Sequence, residues 1–128
     1  MNCYLIDDDK VFHLISHKML QRSGIEVAVS NFFDGEEALA SLKKSIEQQE
    51  VIPQIILLDI RMPKMDGFTF LDEYAKLPEE VTNHIKIFLL TSSIDKNDIE
   101  RAKNHPALKG FFNKPLSFDA IKTIIGQD

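Results

Sequence analysis

Apolar and polar positions follow one another in a repeating order: a short apolar run, then a longer segment with apolar residues at helical spacing. The runs 2–6, 25–30, 54–58, 85–90 and 109–113 predict five strands. Residues 10–22 predict a helix with Val11, Leu14, Ile15 and Met19 on its buried face. Asp34 and Glu37 have the spacing of a capping box and open a second helix striped by Ala38, Leu39, Leu42 and Ile46. A third carries Phe68, Leu71, Tyr74 and Ala75 and stops before Pro78, because proline disfavours the helical conformation in the residue before it. A fourth, 95–104, offers only Ile99 and Ala102 to a core, so it is expected to be the least firmly anchored. Ser117 caps a fifth, bearing Phe118, Ile121, Ile124 and Ile125. The run 54–58 is apolar at nearly every position, as in a central parallel strand covered on both faces. Strands alternating with helices predict βαβ units and a parallel sheet, an α/β fold of one domain over residues 1–128.

Four of the runs lead into polar residues: Ile6 into Asp7 and Asp8, Leu58 into Asp59, Leu90 into Thr91, and Phe112-Asn113 into Lys114. An open α/β sheet binds its ligands outside the carboxyl ends of its strands, and parallel strands would bring these residues together there. Three carboxylates, a hydroxyl and an ammonium suit a hard divalent cation and a phosphoryl group.

Fifteen basic against 20 acidic residues give a formal charge of −5, with the basic residues scattered, which argues against nucleic acid and anionic membrane as partners. No apolar run approaches the roughly 20 residues of a membrane span. The N-terminus lacks the basic, apolar and cleavage regions of a signal peptide, and the single cysteine, Cys3, has no internal partner, so a cytoplasmic location is expected. Cys3 itself is expected to pack as a small buried hydrophobe.

Four segments together resemble the receiver domain of two-component response regulators, of the single-domain, chemotaxis-regulator-like kind. They are Leu5-Ile6-Asp7-Asp8-Asp9, Leu57-Leu58-Asp59 through Pro63 to Asp66-Gly67, Leu90-Thr91-Ser92-Ser93, and Gly110-Phe111-Phe112-Asn113-Lys114-Pro115. The resemblance covers essentially the whole chain. It implies a doubly wound, flavodoxin-like (βα)5 fold with strand order 2-1-3-4-5. It implies that Asp59 accepts a phosphoryl group from a phosphohistidine on a sensor histidine kinase or histidine phosphotransfer protein. Asp7, Asp8, Asp59 and the backbone carbonyl of Arg61 would hold Mg2+, for which Mn2+ can substitute. Lys114 would pair with Asp59 and then with the phosphoryl oxygens, across a cis Lys114–Pro115 bond. Thr91 and Phe111 would form the switch that remodels the face of the fourth helix, fifth strand and fifth helix, for a downstream protein or a phosphorylation-dependent homodimer.

On this reading the chain is no enzyme beyond its own phosphorylation and dephosphorylation, and it holds no output module. Phe111 stands where many relatives carry tyrosine, so its inward state depends on packing alone. Arg61 and Ser93, two residues beyond Asp59 and Thr91, resemble positions that set how readily water reaches the aspartyl phosphate.

Plainer readings exist for each residue. Asp9 suits a helix N-terminus. His13 and His17 have a spacing that can bind a metal, but no third ligand is evident, and they are expected on the exposed or partner-facing side of the first helix. His84 and His105 fall in loops, and Phe32 and Phe33 are expected to close the end of the sheet. A haloacid-dehalogenase-like hydrolase would want an acid where Arg61 stands and more length for a cap. A pseudo-receiver that binds without phosphorylation is disfavoured by the full set Asp7, Asp8, Asp59, Thr91 and Lys114.

Overall fold

Five parallel strands form the single sheet, in the order β2-β1-β3-β4-β5, in a computed structural model that describes residues 1–92 and 95–126. In chain order the elements are β1 (Asn2–Ile6), α1 (Lys10–Arg22), β2 (Ala28–Phe32), α2 (Gly35–Glu47), β3 (Ile55–Asp59), α3 (Gly67–Tyr74), α4 (Glu79–Thr82), β4 (Lys86–Thr91), α5 (Lys96–Lys103), β5 (Leu108–Asn113) and α6 (Phe118–Ile125). This is the doubly wound, flavodoxin-like α/β arrangement the resemblance implies, with six helices among the described residues rather than five. The addition is the single turn α4, which follows Pro78; the predicted fourth and fifth helices are therefore α5 and α6.

Side chains alternate across each strand, so the sheet separates two apolar layers. Tyr4, Ile6, Ile56, Leu58, Ile87 and Leu89 point to the side covered by α2 and α3, where Leu42, Phe70 and Leu71 are fully buried. Cys3, Leu5, Ile55, Leu57, Phe88 and Leu90 point to the other side, under Phe12 and Leu20 of α1 and Ala120, Ile121 and Ile124 of α6. Each fully buried Leu, Ile or Phe contributes about 1.5–3 kcal/mol relative to exposure. Every residue of β3 is buried, as its unbroken apolar run predicts. Burial pushes the Cys3 thiol up to about 12, in keeping with an inert core residue.

Three expectations are corrected. The buried face of α1 is Phe12, His13, Ser16 and Leu20, not Val11, Leu14 and Ile15, which are 61%, 64% and 42% exposed. Asp9 caps this helix, accepting from the N–H groups of Val11 and Phe12, and so sets the rotation that turns Phe12 inward. The second strand is Ala28–Phe32 rather than 25–30; it is an edge strand, and the apolar Ile25 and Val27 pack under the sheet from the preceding loop. On α5, Asp98 is buried beside Ala102, whereas Ile99 is only half-buried.

Among the described residues no helix is long and apolar enough to cross a membrane.

Candidate metal and phosphoryl site

The register of the sheet delivers the predicted polar residues to one edge. Ile6 lies opposite Leu58, Asp59 opposite Leu90 and Thr91 opposite Asn113, so the residues that end β1, β3, β4 and β5 emerge side by side. Ligand oxygens of Asp7, Asp8 and Asp59 lie within 4.8 Å of one another. Asp7 and Asp59 are buried, while Asp8 is exposed at the rim.

Local hydrogen bonds hold these groups in place. One carboxylate oxygen of Asp7 accepts the N–H of Asp9 at 2.9 Å, and the Asp7 N–H donates to the carbonyl of Phe32 at 3.0 Å. Beyond Asp59 the chain turns through Lys64, whose φ of +67° is left-handed, and re-enters at Gly67, whose N–H donates to the Ile60 carbonyl at 2.8 Å. Asp66 caps α3 by accepting from the Thr69 N–H. On the other side, the Lys114 N–H donates to the Thr91 carbonyl at 2.9 Å, and the Lys114–Pro115 peptide is cis. Lys114 Nζ lies 2.5 Å from Asp7 Oδ2 and 3.4 Å from Asp59 Oδ1, with the Phe12 ring 4.5 Å away.

This arrangement carries surplus negative charge. Burial, and then the neighbouring Asp7, push the Asp59 carboxyl up to about 6, against the opposing pull of Lys114. Burial lowers the affinity of Lys114 for its proton, but hydrogen bonding and charge attraction to Asp7 and Asp59 outweigh it and hold the ammonium above its ordinary value. One ammonium among three carboxylates leaves an all-oxygen, anionic donor set, which fits a hard divalent cation.

A pH dependence follows. The unfolded Asp59 releases its proton near 3.8 and the folded one near 6, so between these values the folded chain binds more protons. Stability of the metal-free protein is therefore lost as pH rises through this window and regained as pH falls. Unfolding midpoints of wild type and Asp59→Asn should converge toward pH 4 and separate toward pH 7, with wild type the lower; parallel curves would contradict this.

The remaining predicted residues are placed as follows. Thr91 is buried at the end of β4, and Phe111, half-buried on β5 beside Leu89, packs on the α2–α3 side of the core. Ser93 lies outside the described residues. The Arg61 side chain runs to α5, where its guanidinium meets Asp98 Oδ2 at 2.5 Å, and Arg101 of the same helix lies 4.1 Å over the Phe68 ring. These contacts supply the anchoring that the apolar pattern of α5 lacks. Sequence reasoning missed Asp98; an acid in a helix with few inward apolar residues, with an arginine two residues beyond Asp59 to pair with, was the available signal.

His13 is corrected from exposed to buried. Its ring packs 4.5 Å from Phe33, and its Nε2–H donates to the Asp7 carbonyl at 2.8 Å. Phe32 closes the sheet end against Tyr4, their rings 4.6 Å apart.

The family model for the response regulator receiver domain matches residues 3–126. The chain is 29% identical to a probable methanogenesis regulatory protein, FilR2, of Methanothrix harundinacea, over 96% of this chain and 77% of that one. It is 32% identical to the sensor histidine kinase CheAY of Helicobacter pylori, over 94% of this chain but only 14% of the kinase. Among solved structures, a response regulator receiver protein of Dyadobacter fermentans superposes with a TM-score of 0.79 at 30% identity, covering 98% of both chains. The Mn2+-bound form of the response regulator Rcp1 superposes with a TM-score of 0.76 at 25% identity, covering 98% of this chain and 89% of that one. With its motifs, sheet order and carboxyl-edge acidic cluster accounted for in this way, the chain belongs to the response regulator receiver domain family of two-component signalling proteins.

Proposed function

We propose that the chain is one receiver domain, residues 1–128, in which Asp59 accepts a phosphoryl group from a phosphohistidine on a sensor histidine kinase or a histidine phosphotransfer protein. The observation that carries this reading is the placement of Asp59 beside Asp7, Asp8 and the Lys114 ammonium. A carboxylate oxygen of Asp59 attacks phosphorus as the P–N bond breaks, and the histidine nitrogen leaves with the bonding electrons. Negative charge spreads over the equatorial oxygens, so catalysis consists of positioning and charge stabilisation. Asp7, Asp8, Asp59 and the Arg61 carbonyl would hold Mg2+ or Mn2+, which when bound neutralises charge on those oxygens. Lys114, held at the pocket by Asp7 and Asp59, transfers its pairing to the phosphoryl group, and the Thr91 hydroxyl donates to a further oxygen.

Movement of Thr91 toward the phosphoryl group vacates space for Phe111, whose half-buried ring can turn without breaking a hydroxyl contact. The two packings differ in their contacts to phosphate, which biases the α5–β5–α6 face toward a downstream protein or a second copy. A cytoplasmic location agrees with the single buried cysteine.

Incubation with acetyl phosphate and Mg2+, followed by intact mass, tests the reading. One phosphoryl group per chain, dependent on Mg2+, supports it. An unmodified chain with intact donor would replace it by a binding-only scaffold, and turnover of diverse phosphate esters by a hydrolase.

The exposed Val11, Leu14 and Ile15 give α1 an apolar outer face beside the acceptor, suited to docking the protein phosphodonor. Leu14→Glu should leave uptake from acetyl phosphate unchanged and slow transfer from the cognate phosphohistidine protein by about tenfold or more. Equal slowing with both donors would move the defect to the site itself.

A further inference from the structure

Beside the acidic pocket, between α1 and the edge strand β2, two imidazoles converge on one atom. His13 Nδ1 lies 2.8 Å and His17 Nε2 2.7 Å from Asn31 Oδ1. The other ring nitrogen of His13 is committed, because the Asp7 carbonyl can only accept, which makes Nε2 the protonated nitrogen. A neutral His13 ring with its proton there turns the lone pair of Nδ1 toward the same oxygen that His17 approaches. His17 Nε2–H can donate to that oxygen, but the Nδ1 lone pair of a neutral His13 and the Asn31 oxygen both accept, a pairing that a positive centre between them satisfies.

We propose that His13 Nδ1, His17 Nε2 and Asn31 Oδ1 bind a borderline divalent cation of the zinc class, in a site separate from the acidic pocket. Imidazole nitrogens with an oxygen and water suit Zn2+, and two histidines four apart on a helix present their rings on one side. The bond from His13 to a backbone carbonyl is the outer contact that ordinarily fixes the tautomer and orientation of a metal-bound histidine. Neighbouring ligands of tetrahedral zinc lie about 3.3 Å apart, so the separation of each ring nitrogen from Asn31 Oδ1 needs to widen by only about 0.5 Å.

The surroundings allow entry and completion of the shell. His13, His17 and Asn31 line a cavity of about 570 Å³ with Lys10, Leu14 and Phe33, open to solvent and large enough for water ligands. The one cation on its lining, Lys10, has its ammonium over the Phe33 ring, 6.0 Å from the centroid.

The test is a Zn2+ titration of the full chain in saturating Mg2+, which keeps the acidic pocket filled, read by calorimetry and by the imidazole resonances of the four histidines. The expected result is one Zn2+ per chain, perturbing His13 and His17 but not His84 and His105. His17→Ala, a change at the half-buried member, should weaken Zn2+ about tenfold or more while Mg2+ binding is retained, which reports an intact fold. The proposal is overturned by an absence of Zn2+ uptake, which would mean the Asn31 amide turns its NH2 to both rings. Uptake unchanged in His17→Ala, or Zn2+ lost in proportion to added Mg2+, overturns it equally by placing the ion in the acidic pocket.

Discussion

Asp59→Asn abolishes phosphoryl uptake from acetyl phosphate and, in the same protein, raises the unfolding midpoint of the metal-free chain near neutral pH. The first effect is all-or-none, because the amide oxygen of asparagine is a far weaker nucleophile and no other carboxylate stands in its place at the end of β3. Asp7 is engaged by Asp9 and Lys114, and Asp8 sits at the exposed rim. The second effect has the opposite sign because burial, and then the like charge of Asp7, push the Asp59 carboxyl up to about 6. At neutral pH it is therefore ionised against its environment, and a neutral isostere removes that cost. Intact mass and thermal unfolding measure the two. An adduct persisting in the variant would move the acceptor elsewhere, and a lowered midpoint would mean that the Lys114–Asp59 attraction outweighs burial.

Gly67→Ala lowers stability by about 2 kcal/mol, within the usual range for forcing extra atoms into a packed site, and the unfolding midpoint by roughly 5–10 °C. A β-carbon at Gly67 would lie 2.5 Å from the Asp59 carbonyl oxygen and 3.0 Å from the Ile60 α-carbon. Both neighbours are backbone, so neither can rotate away as a flexible side chain does. Relief requires the start of α3 to withdraw, stretching the Gly67 N–H bond to Ile60 and displacing the loop after Asp59. Mg2+ affinity should fall along with stability, since that loop carries Arg61. An alanine variant with wild-type midpoint and Mg2+ affinity would show that the loop relaxes without cost.

Strand ends were the most legible part of the sequence. An apolar run closing on an acid or a hydroxyl reads the same whether its strand is central or lateral, and Asp7, Asp59, Thr91 and Lys114 were found that way. Helix rotation was less legible. On α1 the apolar residues Val11, Leu14, Ile15 and Met19 make a plausible stripe, yet of these only Met19 packs against the core, and the chain buries Phe12, His13, Ser16 and Leu20. His13 and Ser16 look like surface residues until Asp7 and Asn31 are beside the former, and those partners arrive from other strands. The edge strand β2 was misplaced by three residues because its half-exposed pattern is weaker than the apolar loop before it. Asp98 escaped notice for a related reason: burial of a charge makes sense only once Arg61 is in reach.

The pocket joins the first strand to the last, since Asp7 comes from the end of β1 and Lys114 from the end of β5. Until β5 is laid down, Asp7, Asp8 and Asp59 lack the ammonium of Lys114. A chain emerging from the ribosome acquires its acids early and its cation late. On the proposed function, competence to accept a phosphoryl group therefore waits for β5, the strand that brings Lys114 beside the acids.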